Sequence, residues 1–176
     1  PLISGWDVKA KDLTYVQGYY SPFLKEIVAC AHRSPEQMPN TVAYLANSAL
    51  LAEHWQKVPR WVASGCPDYF AEVGREQREA DRLARAWEKV DLSIAAMPSL
   101  RTLLDDASPV WKDDGSASDR KNEVVCWALF HFLAGSKENQ QALKSMLKNV
   151  QGLPGTGLNS GLQLERLYPG GLNRLE

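Results

Sequence analysis

The segment from Thr41 to Gln56 constrains the fold most strongly, because its apolar residues recur at the spacing of an α-helix. The apolar positions on this face are Val42, Leu45, Ala46, Ala49, Leu50 and Ala52. Alanine and leucine have high helix propensity, and Pro59 ends the helix because proline has no N–H to donate. We therefore predict a helix over residues 41–56 and a second, short helix within the following segment, PRWVASGCPDYFAE.

Most of the remaining chain also has helical patterns. The segment from Arg75, REQREADRLARAWEKVD, predicts a charged and solvated helix, and MPSLRTLLDD predicts a helix capped by Ser99. From Asn122, NEVVCWALFHFLAGS predicts a core helix, and KENQQALKSMLKNVQ predicts an amphipathic one. The end, LQLERLYPGGLNRLE, indicates a short helix, a turn and the start of a terminal helix. Two segments, WKDDGSASDRKN and QGLPGTGLNSG, are typical of loops.

The N-terminal part differs from the rest in having β-branched and aromatic residues mixed with glycine. Residues 1–20 favour one or two short strands. Ser21 followed by Pro22 is typical of a helix start, so we predict a helix over 22–32, with a strand as the alternative. The predicted fold class is mainly α (α+β), a helical domain with a small N-terminal extended element. Residues 1–176 form one predicted domain, which we expect to be a fragment of a longer or processed chain.

Composition and charge exclude several function classes. Apolar residues make up 44% of the chain and the formal net charge is −1, so no strong field favours nucleic acid or an anionic membrane. No apolar run is long enough for a membrane span. Cys30, Cys66 and Cys126 have neither CxxC nor zinc-finger spacing, and we expect them to be reduced and mostly buried. One bridge with one free thiol is the alternative.

Two consecutive segments, TVAYLANSALL and VPRWVASGCPDYFAE, have the layout of a metallopeptidase site. They resemble the gluzincin metallopeptidases, specifically the bacterial peptidase-MA-like family, in which a helix reading HE-x-x-H-A-L-L precedes P-x-W-L-x-E-G-x-A-x-Y-F. The segments MPSLRTLLDD, VVCWALFHFLAGS, NQQALKSMLKNV and LYPGGLNRLE continue the similarity in the same order. The resemblance covers about residues 38–176.

The resemblance implies that this chain has lost the catalytic side chains. In that family the two histidines and the later glutamate bind zinc, and the glutamate after the first histidine is the general base. Here the first histidine position is Tyr44, the general-base position is Leu45, the second histidine position is Ser48, and the third-ligand position is Ser64. Hydroxyls are poor zinc ligands near neutral pH, and leucine cannot accept a proton.

The expected function is therefore that of a catalytically inactive metallopeptidase-like domain, which serves as a binding or structural module without metal or cofactor. A groove lined by Tyr44, Ser48 and Ser64 would bind a peptide or protein, or would be filled by the Tyr44 ring. Family members are often exported, so the resemblance implies an extracytoplasmic setting.

The alternative is a divergent hydrolase with a relocated site that uses His131 or Cys66. For His131, in CWALFHFLAG, a core or boundary position is favoured, and for Cys66 a structural thiol is favoured. Trp111 flanks an acidic loop and, if exposed, is a candidate partner contact. A ligand set of His32, Glu53 and His54 is disfavoured, because Glu53 and His54 are adjacent and point about 100° apart on a helix. The pair Asp105 and Asp106 is expected to be solvated.

Overall fold

The computed structural model describes residues 18–21, 23–29, 38–73, 97–111, 117–153 and 159–175. This part of the chain is mainly helical and carries a small two-stranded antiparallel sheet near the N-terminus, as the sequence predicts. The elements in chain order are β1 Gly18–Ser21, β2 Glu26–Ala29, α1 Met38–His54, α2 Arg60–Val73, α3 Leu100–Leu103, α4 Ala117–Ala134, α5 Lys137–Gln151 and α6 Ser160–Leu167, followed by a 3₁₀ turn at Leu172–Arg174. The predicted helix from Arg75 lies outside the described residues.

The hairpin of β1 and β2 overturns the helix predicted over 22–32. Tyr20 pairs with Ile27 and Ser21 with Glu26, so residues 26–29 form a strand and the strand alternative is correct for them. Residues 30–32 lie outside the described residues. Ser21 does act as a cap, because its hydroxyl accepts the N–H of Leu24 at 3.3 Å, but it caps a turn instead of a helix. Lys25 has a φ of 54°, a left-handed conformation that closes the turn and leads the chain back into β2.

One exposed carboxylate fastens the hairpin to the C-terminal half of α1. Glu53 accepts a hydrogen bond from the Tyr20 hydroxyl at 2.9 Å and is paired with the Lys25 ammonium at 3.0 Å. These contacts lower the pKa of Glu53 below its ordinary value, chiefly through the Lys25 hydrogen bond. The Glu53 carboxylate therefore holds the hairpin, which gives it a structural task in place of the metal ligation considered above.

The helices α2 and α4 pack closely because glycine removes a side chain at their contact. A Cβ at Gly65 would collide with the carbonyl group of Cys126 on α4. On either side of this contact the core residues Trp61, Val62, Cys66, Leu129 and Phe130 are buried. The pair α2–α4 is therefore the centre of the fold, and α1 packs on α2 from the other side.

The later helices close the core around this pair. The amphipathic pattern of α5 is confirmed, since its buried residues are Ala142, Leu143, Met146, Leu147 and Val150. Ser136 caps α5 by accepting the N–H of Asn139 at 3.1 Å, and Ser99 caps α3 as predicted by accepting the N–H of Thr102 at 3.3 Å. Helix α4 begins at Ala117. The loop that the sequence predicts up to Asn122 is therefore wrong over residues 117–122. The first turn of a helix is commonly as polar as a loop, so composition did not separate the two.

Buried hydrogen bonds connect the start of α2 with the start of α6. The indole N–H of Trp61 donates to the Ser160 hydroxyl at 2.8 Å, and that hydroxyl donates to the carbonyl of Leu104 at 3.0 Å. Nearby, the carboxylate of Asp106 accepts the N–H of Arg60 at 2.9 Å and so caps α2 from a distant segment. The segment 104–106 is thereby fixed between the two helix N-termini.

Candidate functional site

Tyr44 and Ser48 occupy the same face of α1, one helical turn apart. Both are half-buried, and the Ser48 hydroxyl donates to the backbone carbonyl of Tyr44 at 3.0 Å. The i,i+4 spacing that would point two histidines at one metal is thus retained, but one of the two side chains is bonded to its own helix. The serine hydroxyl proton is consequently committed within α1.

Leu45, at the position that the resemblance assigns to the general base, is a packing residue. Its side chain is only 8% exposed, and a Cβ on Gly18 of β1 would lie 2.7 Å from Leu45 Cδ1. The hairpin therefore lies directly over Leu45. Burial of a leucine here stabilises the contact between hairpin and α1 by roughly 2 kcal/mol. A carboxylate at this position would have to lose its hydration under the hairpin.

Ser64 reaches across from α2 to α4. It is half-buried, and its hydroxyl interacts with the thiol of Cys126. Burial raises the pKa of the Cys126 thiol well above its ordinary value, and the Ser64 hydrogen bond opposes that rise only in part. At neutral pH the pair is a neutral hydroxyl against a neutral thiol.

Two carboxylates that the sequence reasoning missed also belong to this region. Burial is the main reason that the pKa of Tyr44 is above its ordinary value, and the negative charges of Asp68 and Glu123 raise it further. The same two charges act on Cys126. Asp68 lies one turn after Ser64, so the i,i+4 rule could have found it. Glu123 comes from a helix far along the chain, and nothing in its local sequence distinguishes it.

We call the set Tyr44, Ser48, Ser64, Asp68, Glu123 and Cys126 the three-helix cluster, since its members come from α1, α2 and α4. Electrostatic interactions join its members: Asp68 and Glu123 act on both Tyr44 and Cys126, and Ser64 interacts with Cys126. Tyr44 and Ser48 are on α1 and Ser64 is on α2, and these two helices pack against each other.

The residues at the three positions that the resemblance assigns to metal ligands do not fit a zinc ion. All three carry hydroxyls, of which that of Ser48 is bonded to its own helix and that of Ser64 interacts with Cys126, and the position assigned to the general base carries a buried hydrocarbon. Over the part of the chain that the structure describes, no group of three histidine, cysteine, aspartate or glutamate side chains is placed to hold a metal ion. In the disfavoured set, Glu53 holds the hairpin and His32 lies outside the described residues.

His131 is half-buried among aromatic rings on α4. Its ring centroid lies 5.7 Å from that of Tyr69 and 5.3 Å from that of Trp127, whose indole N–H is buried without a hydrogen-bond partner among the described residues. This is the boundary position that the sequence favours for a histidine in an apolar helix. Its contacts with Tyr69 of α2 and Trp127 of α4 hold the ring from two sides.

Trp111 packs against the core at the end of the segment 97–111. It is half-buried, and its indole N–H is fully buried with no hydrogen-bond partner in the described part of the chain. The sequence offers Trp111 as a partner contact if it is exposed. The structure instead turns most of the indole inwards, which leaves only part of the ring for such a contact.

Cys66 is buried in the core between α2 and α4. Burial raises the pKa of its thiol to about 12, so the thiolate is scarcely populated at neutral pH. A nucleophilic cysteine needs the opposite shift and an accessible sulfur. Cys66 therefore has the properties of the structural thiol that the sequence favours.

Comparisons of the chain with models of protein families, with curated proteins and with solved structures found no match. None of the helices in the described ranges is long and apolar enough to cross a membrane.

Proposed function

We propose that this chain is a catalytically inactive metallopeptidase-like domain that acts as a binding or structural module. The observation that carries the proposal is the state of the four positions that correspond to catalytic residues. Leu45 is buried under the hairpin, Ser48 is bonded to the backbone of Tyr44, and Ser64 interacts with Cys126. Tyr44 fills the remaining position with a half-buried ring. The side chains that would perform catalysis instead contribute to packing.

A packing role at these positions explains why the two segments have the layout of a metallopeptidase site without its zinc ligands and general base. The close contact at Gly65 sets the distance between α2 and α4, and Trp61 anchors the start of α2 through Ser160. Neither contact needs a metal. Whatever partner the module has, a peptide or protein would meet the half-buried surface formed by Tyr44, Ser48 and Ser64.

The alternative, a hydrolase with a relocated site, loses support at both of its candidate residues. The Cys66 thiol is buried with a raised pKa, and His131 lies against the rings of Tyr69 and Trp127. A relocated nucleophile would require an accessible group paired with a base.

Restoring the ligand side chains tests the proposal. The triple variant Tyr44→His, Ser48→His and Ser64→Glu provides two imidazoles and a carboxylate without placing a charge under the hairpin at Leu45. If the two helices retain the geometry of a metallopeptidase frame, the variant will bind one zinc ion per chain, measured by elemental analysis after dialysis. A matched control, Ala43→His, Asn47→His and Ala63→Glu, has the same spacing one residue earlier and should not retain zinc.

Two results would overturn the proposal. If the triple variant folds, as judged by circular dichroism, and retains no more zinc than its control, the three positions do not converge. If the unaltered protein retains stoichiometric zinc that is lost on replacing Tyr44, Ser48 or Ser64, then the site is not vestigial.

A further inference from the structure

A groove separate from the three-helix cluster lies between α3, α4 and the C-terminal turn. Its volume is about 530 Å³, within the range of about 300–1,000 Å³ that is usual for small-molecule sites. On α4 it is lined by Val125, Leu129 and Phe132, which recur at the i+4 and i+3 spacing of one helix face. Glu123 is two residues before Val125, about 200° around the helix, so this face is turned away from the Glu123 carboxylate.

The groove walls are apolar. The other apolar lining residues are Leu100 of α3, Leu175 after the 3₁₀ turn, and Met97 and Pro98 before α3. The hydroxyl of Ser99, which also lines the groove, interacts with Thr102 at 2.7 Å as part of the cap of α3. The walls therefore favour an apolar ligand over a sugar or a nucleotide, because polar groups buried against them would lose their hydration without compensation.

Among the described residues that line the groove, Arg174 alone carries a charge. Its position is set by the turn before it: Gly170 and Gly171 have φ values of 93° and 66°, and the Arg174 guanidinium donates to the carbonyl of Pro169 at 3.3 Å. A Cβ at Gly170 would lie 2.9 Å from Arg174 Cδ, so the arginine stem packs against the glycine. Arg174 is thus an exposed residue of the groove lining whose stem and guanidinium are both held by the turn.

An exposed arginine in the lining of an apolar groove is complementary to one class of small molecule. The planar guanidinium pairs with a carboxylate through charge-assisted hydrogen bonds, and the apolar walls favour a hydrocarbon chain. We propose that this groove binds small aliphatic carboxylates, with the chain against Leu129 and Phe132 and the carboxylate against Arg174. The proposal does not depend on the metallopeptidase-like function, since the two sites share no residue.

Binding of octanoate, measured by isothermal titration calorimetry, tests the site. We expect saturable binding with one site per chain, and weaker binding of octan-1-ol, which has the same chain without the charge. In Arg174→Gln, octanoate affinity should fall about tenfold whereas octanol affinity should change less than twofold. The matched control Arg166→Gln removes an exposed arginine of α6 that does not line the groove and should leave both affinities unchanged.

A second pair of variants tests the location. Ala128 is an exposed residue of α4 that lines the groove, so Ala128→Trp should fill it and weaken octanoate binding at least tenfold. Leu162→Trp adds an indole at a residue of α6 that is 60% exposed and should have no effect. Unchanged octanoate binding in Ala128→Trp, or equal losses in Arg174→Gln and Arg166→Gln, would overturn the proposal. So would a peptide ending in Leu-Phe that binds tenfold more tightly than octanoate, because the occupant would then be a polypeptide.

Discussion

The Ser64 hydroxyl on α2 interacts with the thiol of Cys126 on α4, next to the point where Gly65 brings the two helix backbones together. Ser64, at the position that the resemblance assigns to a metal ligand, thus supports the contact between the two central helices. This interaction also explains why a polar residue is tolerated there, since its hydroxyl has a partner inside the protein.

Removal of the Ser64 hydroxyl should destabilise the protein more than removal of the Ser48 hydroxyl. Ser64→Ala deprives the buried thiol of its partner, and we expect a loss of about 1 kcal/mol in the free energy of unfolding. Ser48→Ala removes only a bond to the same helix, where alanine has the better helix propensity, so its cost should be about zero. Urea denaturation followed by circular dichroism measures both. Equal losses in the two variants would contradict the inferred contact between Ser64 and Cys126.

Any side chain at position 65 should disrupt the contact between α2 and α4. In Gly65→Ala the new Cβ meets the carbonyl group of Cys126, which is backbone and cannot rotate away, so we expect a loss of about 3 kcal/mol or more. Gly152→Ala is the matched control, because a Cβ there lies 3.6 Å from the Asn149 carbonyl oxygen, an ordinary contact. Its effect should be within about 0.5 kcal/mol. A mild effect at Gly65 would show that the two helices can separate.

The buried bond between Trp61 and Ser160 should contribute measurably to stability. Ser160→Ala leaves the fully buried indole N–H without its acceptor, and we expect a cost of about 1–3 kcal/mol. Replacing both partners, in Trp61→Phe with Ser160→Ala, removes the unsatisfied donor together with its acceptor. The double variant should therefore lose about 1 kcal/mol less than the sum of the single losses. Additive losses would argue against this hydrogen bond.

Ionisation of the Asp106 carboxyl should lower the stability of the folded protein as the pH rises from acid towards neutral. Burial raises the pKa of its carboxyl from 3.8 to about 6, although the Arg60 N–H opposes the rise. A carboxyl whose pKa is higher in the folded state binds its proton more tightly there. Its contribution to stability is thus complete below 3.8 and is lost as the pH rises through about 6.

The variant Asp106→Asn isolates this pH dependence, because its amide oxygen can still accept the Arg60 N–H and cap α2. Free energies of unfolding measured between about pH 4 and pH 7 should decline less with rising pH in the variant than in the unaltered protein. Asp105→Asn should shift the decline to lower pH, because the negative charge of Asp105 raises the pKa of Asp106. Parallel pH profiles for Asp106→Asn and the unaltered protein would contradict the raised pKa.

Helices with a long apolar repeat could be predicted from the sequence, whereas the hairpin could not. The repeat that begins at Val42 places α1 within a few residues of its observed bounds, Met38–His54. Ser21 followed by Pro22 is compatible with both a helix start and a tight turn, and the decision is made by cross-strand pairs such as Tyr20 with Ile27. Such pairs join residues on two strands, so the sequence of one strand alone does not predict them.

The site followed the same division between local and distant contacts. Tyr44, Ser48 and Ser64 could be named because a resemblance places them within two consecutive segments. Glu123 acts on Tyr44 across almost eighty positions of chain, and it comes near because α1 and α4 both pack on α2. Glu123 could therefore not be predicted because it is distant along the chain, and not because of its chemistry.

The absence of a side chain at Gly65 also bears on how variants of this sequence would be interpreted. Because backbone fills the space beside it, substitution there is restricted whether or not any partner or catalyst is involved. In a collection of related chains, the requirement to fold would by itself be enough to retain glycine at this position. Invariance at position 65 would thus be poor evidence of activity, whereas free exchange among small polar residues at position 64 would indicate that no reaction depends on that side chain.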